Sequence, residues 1–162
     1  MGKVSYQLKR KIWSFNKSYD IFDEAGDTVF QVVGKPFSWG NKLSLLNIDG
    51  EEILKIKQTM AAWKATYELI EGDMLVAILE KEFSWFKRRF TLDIPGPNDY
   101  TIKGDFWAHE FTFERSGETV ARVSKDIFKM SDTYGVRIRE EEDHELILAT
   151  VVVVNLICAA HS

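Results

Sequence analysis

Polarity along this chain alternates with period two in short blocks. Thr28–Val33, Glu52–Lys57, Phe111–Phe113 and Thr119–Val123 are rich in β-branched or aromatic residues and switch between apolar and polar positions, the pattern of half-buried strands. From Tyr6-Gln7-Leu8 to Val136-Arg137-Ile138 this reading gives about twelve strands of ordinary length. No amphipathic segment long enough for a helical crossover separates them, so the predicted sheet is antiparallel.

Two interleaved series punctuate the blocks. Glycine-bearing polar turns recur at Gly26, Gly50, Gly72, Gly96 and Gly117, 21 to 24 residues apart. Between them fall Trp13, Trp39, Trp63, Trp85 and Trp107, 22 to 26 residues apart. Glycine tolerates the positive φ that tight hairpin turns need. The repeating unit is therefore strand, glycine turn, strand, tryptophan connection.

The pattern changes after Glu140-Glu141-Glu142-Asp143. Leu146–Ala160 is apolar except for Thr150 and Asn155. A helix of that length is about 22 Å long, short of a bilayer core of roughly 30 Å, and no basic anchor flanks it. A membrane span is not expected. The run Val151–Val154 favours a strand, whereas the unbroken length and Asp143 as an N-cap favour a helix. A helix apolar on every side must be enclosed, and a barrel of twelve strands has a lumen wider than inward side chains fill. The expectation is a mainly β chain, a single domain over residues 1–162. Strands at about 4–139 close an antiparallel barrel around a central helix at about 143–160. Leu146, Val151, Val154 and Cys158 are its expected packing residues.

Composition adds exclusions. The net charge of −4 argues against a general nucleic-acid binder. The single Cys158 excludes an intramolecular disulfide and reads as a small buried hydrophobe. No secretion signal is apparent, and a reducing, cytoplasmic setting is expected. His109, His144 and His161 lack metal-ligand spacing. Ser14-x-x-Lys17 and Ser84-x-x-Lys87 lack the partner motifs of serine–lysine chemistry, and no phosphate or calcium loop occurs. No catalytic constellation, metal or cofactor is implied.

Charge becomes informative once the connections are sorted by end. In an up-and-down barrel alternate connections lie at opposite ends. One end then gathers the acidic glycine turns and the 140–143 run. The other gathers the tryptophans with Lys9, Arg10, Lys11, Lys17, Lys35, Lys42, Lys64, Lys81, Lys87, Arg88, Arg89, Lys125 and Lys129. Lys9, Arg10, Lys11, Trp39, Lys42, Trp85, Lys87, Arg88 and Arg89 form the candidate surface for an anionic partner. Lipid headgroups come first, since tryptophan suits interfaces and basic residues gain near an anionic surface. The competing account has the indoles plug the barrel mouth while the lysines solvate its rim.

The stretches Tyr19–Gly26, Gly34–Leu43, Leu45–Gly50 through Gln58, and Asp143–Leu156 resemble the LURP-one-related family, in its short bacterial-type form. That family is related to the tubby-like C-terminal domain and to phospholipid scramblases. The resemblance covers nearly the whole chain and implies a closed twelve-stranded barrel around a C-terminal apolar helix. Tubby-like domains bind phosphoinositides and scramblases act at membranes, but no residue of a tubby lipid site can be matched here. A scramblase tail would continue through the membrane, whereas this chain stops at Ser162. The favoured function is a non-enzymatic binding or regulatory barrel contacting an anionic membrane surface peripherally, or an unidentified protein. A small-ligand carrier is second and requires a residual cavity. An enzyme with an unrecognised site is third, and a nucleic-acid role ranks below these.

Overall fold

A computed structural model describes residues 2–11, 18–34, 42–61, 64–86, 88–127 and 133–160. Among them twelve strands precede one helix: β1 (Lys3–Lys11), β2 (Ser18–Phe22), β3 (Thr28–Gly34), β4 (Lys42–Asn47), β5 (Glu52–Ala61), β6 (Lys64–Glu71), β7 (Met74–Phe83), β8 (Arg88–Asp93), β9 (Tyr100–Asp105), β10 (Glu110–Arg115), β11 (Glu118–Ser124), β12 (Thr133–Arg139) and α1 (His144–Ala160). Each strand pairs antiparallel with its neighbours in sequence, and β1 pairs with β12 to close the barrel. The expected fold class is the observed one.

The glycine series has a local cause. Gly26, Gly50, Gly72 and Gly117 have φ of 87°, 82°, 61° and 79°, and in each of these hairpins the ladder register shifts beside the turn. A left-handed glycine next to a bulge aligns the turn with the twist of its strands. The first two hairpins share one hydrogen-bond scheme. Asp23 Oδ1 accepts from the backbone N–H groups of Ala25 and Asp27 at 3.0 and 2.9 Å. Asn47 Oδ1 accepts from those of Asp49 and Glu51 at 3.0 and 2.9 Å. These polar side chains are committed to shaping their turns.

Alternation places Leu8, Ile21, Val32, Leu45, Ile56, Leu69, Leu79, Phe90, Ile102, Phe113, Val123 and Val136 in one buried cluster. Every residue of α1 from Leu146 to Cys158 is buried as well. A helix buried on all sides, in a molecule whose other elements are wall strands, can lie only in the lumen. Leu146, Val151, Val154 and Cys158 are at most 4% exposed. Enclosure overrides the poor helix propensity of the valines, since packing outweighs a few tenths of a kcal/mol per residue.

The helix starts among polar contacts. Asp143 Oδ1 accepts from Leu146 N–H at 3.1 Å, an N-cap. Nε2–H of His144 donates to the Arg139 carbonyl at 2.9 Å while its Nδ1 accepts from Tyr6 Oη–H at 2.9 Å. Glu142 is buried, although the surrounding Glu140, Glu141 and Asp143 are exposed. It accepts two bonds from the Arg115 guanidinium, at 2.6 and 2.5 Å, and one from Tyr100 Oη–H at 2.6 Å. The acidic run is thus a solvated stretch with one anchor inside it. Among the described residues α1 is not long and apolar enough to cross a membrane.

Candidate functional site at the aromatic end of the barrel

The topology sends the glycine turns to one end and the tryptophan connections to the other. The helix runs from the first to the second, so its C-terminal turn faces the aromatic end. Trp39 and Lys87, two of the expected surface residues, lie outside the described residues. So do Trp13, Trp63, Lys17, Lys35 and Lys129.

The two tryptophans that remain behave differently. Trp85 and Phe86, at the start of the connection after β7, are 94% and 90% exposed. Trp107 is 38% exposed and packs on Phe83, with ring centroids 5.7 Å apart. Behind it lies an aromatic cluster: Phe106 meets Phe90 edge-on at 4.9 Å and Phe111 at 5.2 Å. One indole therefore projects outward and the other belongs to the barrel mouth. The Arg88 guanidinium lies 5.4 Å from the Trp107 ring centre, and Lys81 Nζ lies 4.4 Å from that of Phe83, distances of cation–π attraction. Trp85, Arg88 and Trp107 share an open hollow of about 480 Å³.

The basic residues do not form one free rim, contrary to the simple sum of charges. Arg89 is bound to Glu82 at 2.5 Å and Lys11 to Asp20 at 3.2 Å, both pairs created by strand register across the outer wall. Lys9 and Lys42 carry no ion pair among the described residues and sit on the outer face, because their neighbours Leu8 and Leu43 point inward. Arg10 shares the parity of Leu8 and faces the lumen. It lines a cavity of about 190 Å³ at the end of the helix.

That cavity is a second feature of the aromatic end. Its polar wall comprises Arg10, Tyr19, His109, Tyr134 and Asn155; Phe106, Trp107, Cys158 and Ala159 supply the apolar part. None of the lining side chains is acidic. Asn155 is 2% exposed, and its Oδ1 lies 3.1 Å from His109 Nδ1. Its Nδ2 is buried without a hydrogen-bond partner. His109 occupies a left-handed backbone conformation, φ 57°, costly for a residue with a Cβ although histidine is among those that tolerate it. Its ring packs at a tilt against that of Tyr134, with centroids 4.2 Å apart.

Burial holds the groups here in their neutral forms. The Cys158 thiol is pushed up to about 11 and is no nucleophile at neutral pH. Tyr19 is raised to about 12 by burial, with Tyr134 adding to the effect and Arg10 opposing it. His109 is lowered, first by burial and then by the charge of Lys125; the bond to Asn155 and the charges of Asp105 and Glu110 act the other way. The unfolded chain takes up the proton near an ordinary histidine value and the folded chain resists it, so stability held above about pH 6.5 falls on acidification. Urea midpoints measured between about pH 7.5 and 5.5 should decline more steeply for the native chain than for His109→Asn. Parallel curves would show that His109 carries no such linkage.

Among the described residues no group of three or more His, Cys, Asp or Glu side chains is placed to hold a metal ion. Sequence reasoning treated Asn155 only as a polar interruption and His109 only as a failed metal ligand. Their contact spans 46 positions, so no local pattern announces it. Arg10 had a usable signal, since period two from Leu8 turns it inward.

The sequence pattern that defines the LURP-one-related family matches residues 4–155. The chain belongs to that family. It is 29% identical over 150 residues to the uncharacterized protein YxjI of Bacillus subtilis (strain 168), an alignment covering 93% of this chain and 91% of that one. The X-ray structure of the Arabidopsis thaliana protein AT5G01750 superposes with a TM-score of 0.71 at 16% identity, over 96% of this chain and 91% of the other. At that identity the likeness concerns the fold, and the family's closed barrel is the shared feature.

Proposed function

We propose that this LURP-one-related barrel is a non-catalytic binding module that docks its aromatic end on an anionic membrane surface. The observation that supports this reading is the β7–β8 connection, where Trp85 and Phe86 stand almost fully exposed beside Arg88. Two large apolar side chains at the tip of a hairpin have no packing role in the barrel. They suit the boundary between headgroups and acyl chains, where aromatic rings concentrate. Arg88, lying over the Trp107 ring, offers a guanidinium to phosphate. Lys42 adds charge three strands round the same end from β7, and Lys9 lies on the far side of the barrel, whereas Arg89 is already neutralised by Glu82.

Sedimentation with vesicles of phosphatidylcholine, with and without an anionic lipid, tests the proposal. Binding is expected only with the anionic lipid and should weaken as salt rises. Arg88→Ala should weaken partitioning about fivefold, the worth of one basic residue near the surface. Arg89→Ala should change it little. Trp85→Ser with Phe86→Ser should abolish it while leaving the melting temperature unchanged. Failure of the native chain to sediment at low salt, or equal losses from Arg88→Ala and Arg89→Ala, would overturn the reading.

A further inference from the structure

The cavity at the C-terminal turn of α1 shares only Trp107 with the membrane-docking surface, and its chemistry is of another kind. Asn155 places a primary amide inside the lumen. One of its two polar atoms is satisfied by His109, and the other has no partner. Rotating the amide by half a turn does not remove the deficit, because His109 Nδ1 meets Asn155 at one atom only. Leaving such a group dry and unpaired costs about 1–3 kcal/mol, and no protein group repays that cost here.

Arg10 brings the second unusual element. Arg10 is half-buried, lines the same cavity, and has no ion pair among the described residues. Tyr19, protonated at neutral pH, adds a hydroxyl to the wall. The donors therefore outnumber the acceptors, and no carboxylate in the lining balances the positive charge. Opposite them lie Phe106 and Trp107, which offer flat apolar contact.

We infer that this cavity is a binding site for a small carboxylate carried on an apolar, ring-sized body. The carboxylate takes the charge of Arg10 and the free amide hydrogens of Asn155, and the body lies against Phe106 and Trp107. Size sets the class of ligand. A cavity of about 150 Å³ accepts benzene, so the 190 Å³ found here holds one ring with a small polar group and excludes a long acyl chain. His109 fixes the orientation of the Asn155 amide as a positioning residue.

The test uses three probes of one shape, benzoate, benzamide and benzylamine, titrated into the isotopically labelled full chain and followed by NMR. Benzoate should shift the Asn155 side-chain amide resonance saturably, benzamide should bind about tenfold more weakly, and benzylamine should not bind. Arg10→Gln should erase the preference for benzoate over benzamide. Asn155→Asp, which turns the donor into an acceptor of like charge, should abolish benzoate binding. Should that variant fail to fold, Arg10→Gln decides alone, because Arg10 holds no ion pair whose loss unfolds the barrel. No response of the Asn155 amide to benzoate overturns the inference. So do equal affinities for the three probes, which would mean an apolar hole without recognition, or an undiminished preference in Arg10→Gln. None of these outcomes depends on whether the chain binds vesicles.

Discussion

Arg115→Met should lower the free energy of unfolding by about 3–5 kcal/mol, the loss typical when one partner of a buried pair is removed. The Glu142 side chain is fully buried while Arg115 is one-third exposed, so the deletion strands the charge that cannot reach water. Tyr100 remains as a donor to Glu142 but cannot neutralise it. Its own hydroxyl is held protonated, first by burial and then by the bond to Glu142. With Tyr100, the pair ties the turn before α1 to the start of β9 and the end of β10, and so closes the barrel at the end where the helix enters. Attraction alone is not the source of the effect, which separates two outcomes. Arg115→Met combined with Glu142→Leu and Tyr100→Phe removes every polar member and should regain most of the loss, because a well-packed apolar replacement is often neutral. Urea denaturation at neutral pH measures both. A cost below about 1 kcal/mol for Arg115→Met would class the pair with ordinary surface bridges.

The barrel was legible because its determinants are local. Left-handed glycines beside bulges are a property of a few adjacent residues, and Gly26, Gly50, Gly72 and Gly117 repeat that property at near-constant spacing. The helix was legible from length and capping, even against Val151–Val154, because a lumen that wide demands a filler. Charge pairing was not legible. Arg89 meets Glu82, and Lys11 meets Asp20, through registers that a sequence states only as parity. Glu142 was hidden among exposed acids for a related reason: composition describes a run, whereas burial selects one member of it. The cavity was the least accessible feature, since Arg10, His109 and Asn155 come from β1, the β9–β10 connection and α1. Only the inward parity of Arg10 and the isolated polarity of Asn155 hinted at it.

Val152→Asp should abolish cooperative folding at neutral pH, and Val152→Thr should not. Val152 is fully buried in the middle of α1, with the barrel wall on every side. An aspartate there must either ionise without partners, which the interior does not permit, or take a proton. At pH 7 the second course costs about 4 kcal/mol, before the lost apolar contacts are counted. That sum approaches the whole stability of a typical domain, about 5–15 kcal/mol. The penalty has a definite sign with pH. Burial raises the carboxyl pKa in the folded state, so the cost is absent below about pH 3.9, the unfolded value, and grows as pH rises. Thermal unfolding by circular dichroism should therefore show a sharper, higher transition for the aspartate variant at about pH 5 than at about pH 7. The threonine is a control the protein already contains. Thr150 is fully buried and donates its hydroxyl to the Leu146 carbonyl at 2.8 Å, the bond that admits a polar group to a helix interior. A threonine at 152 can make the same bond one turn back, to Leu148, and should cost about 1–2 kcal/mol. An aspartate variant that melts like the native chain would mean that water reaches this face of the helix, and that the lumen is not the place α1 occupies.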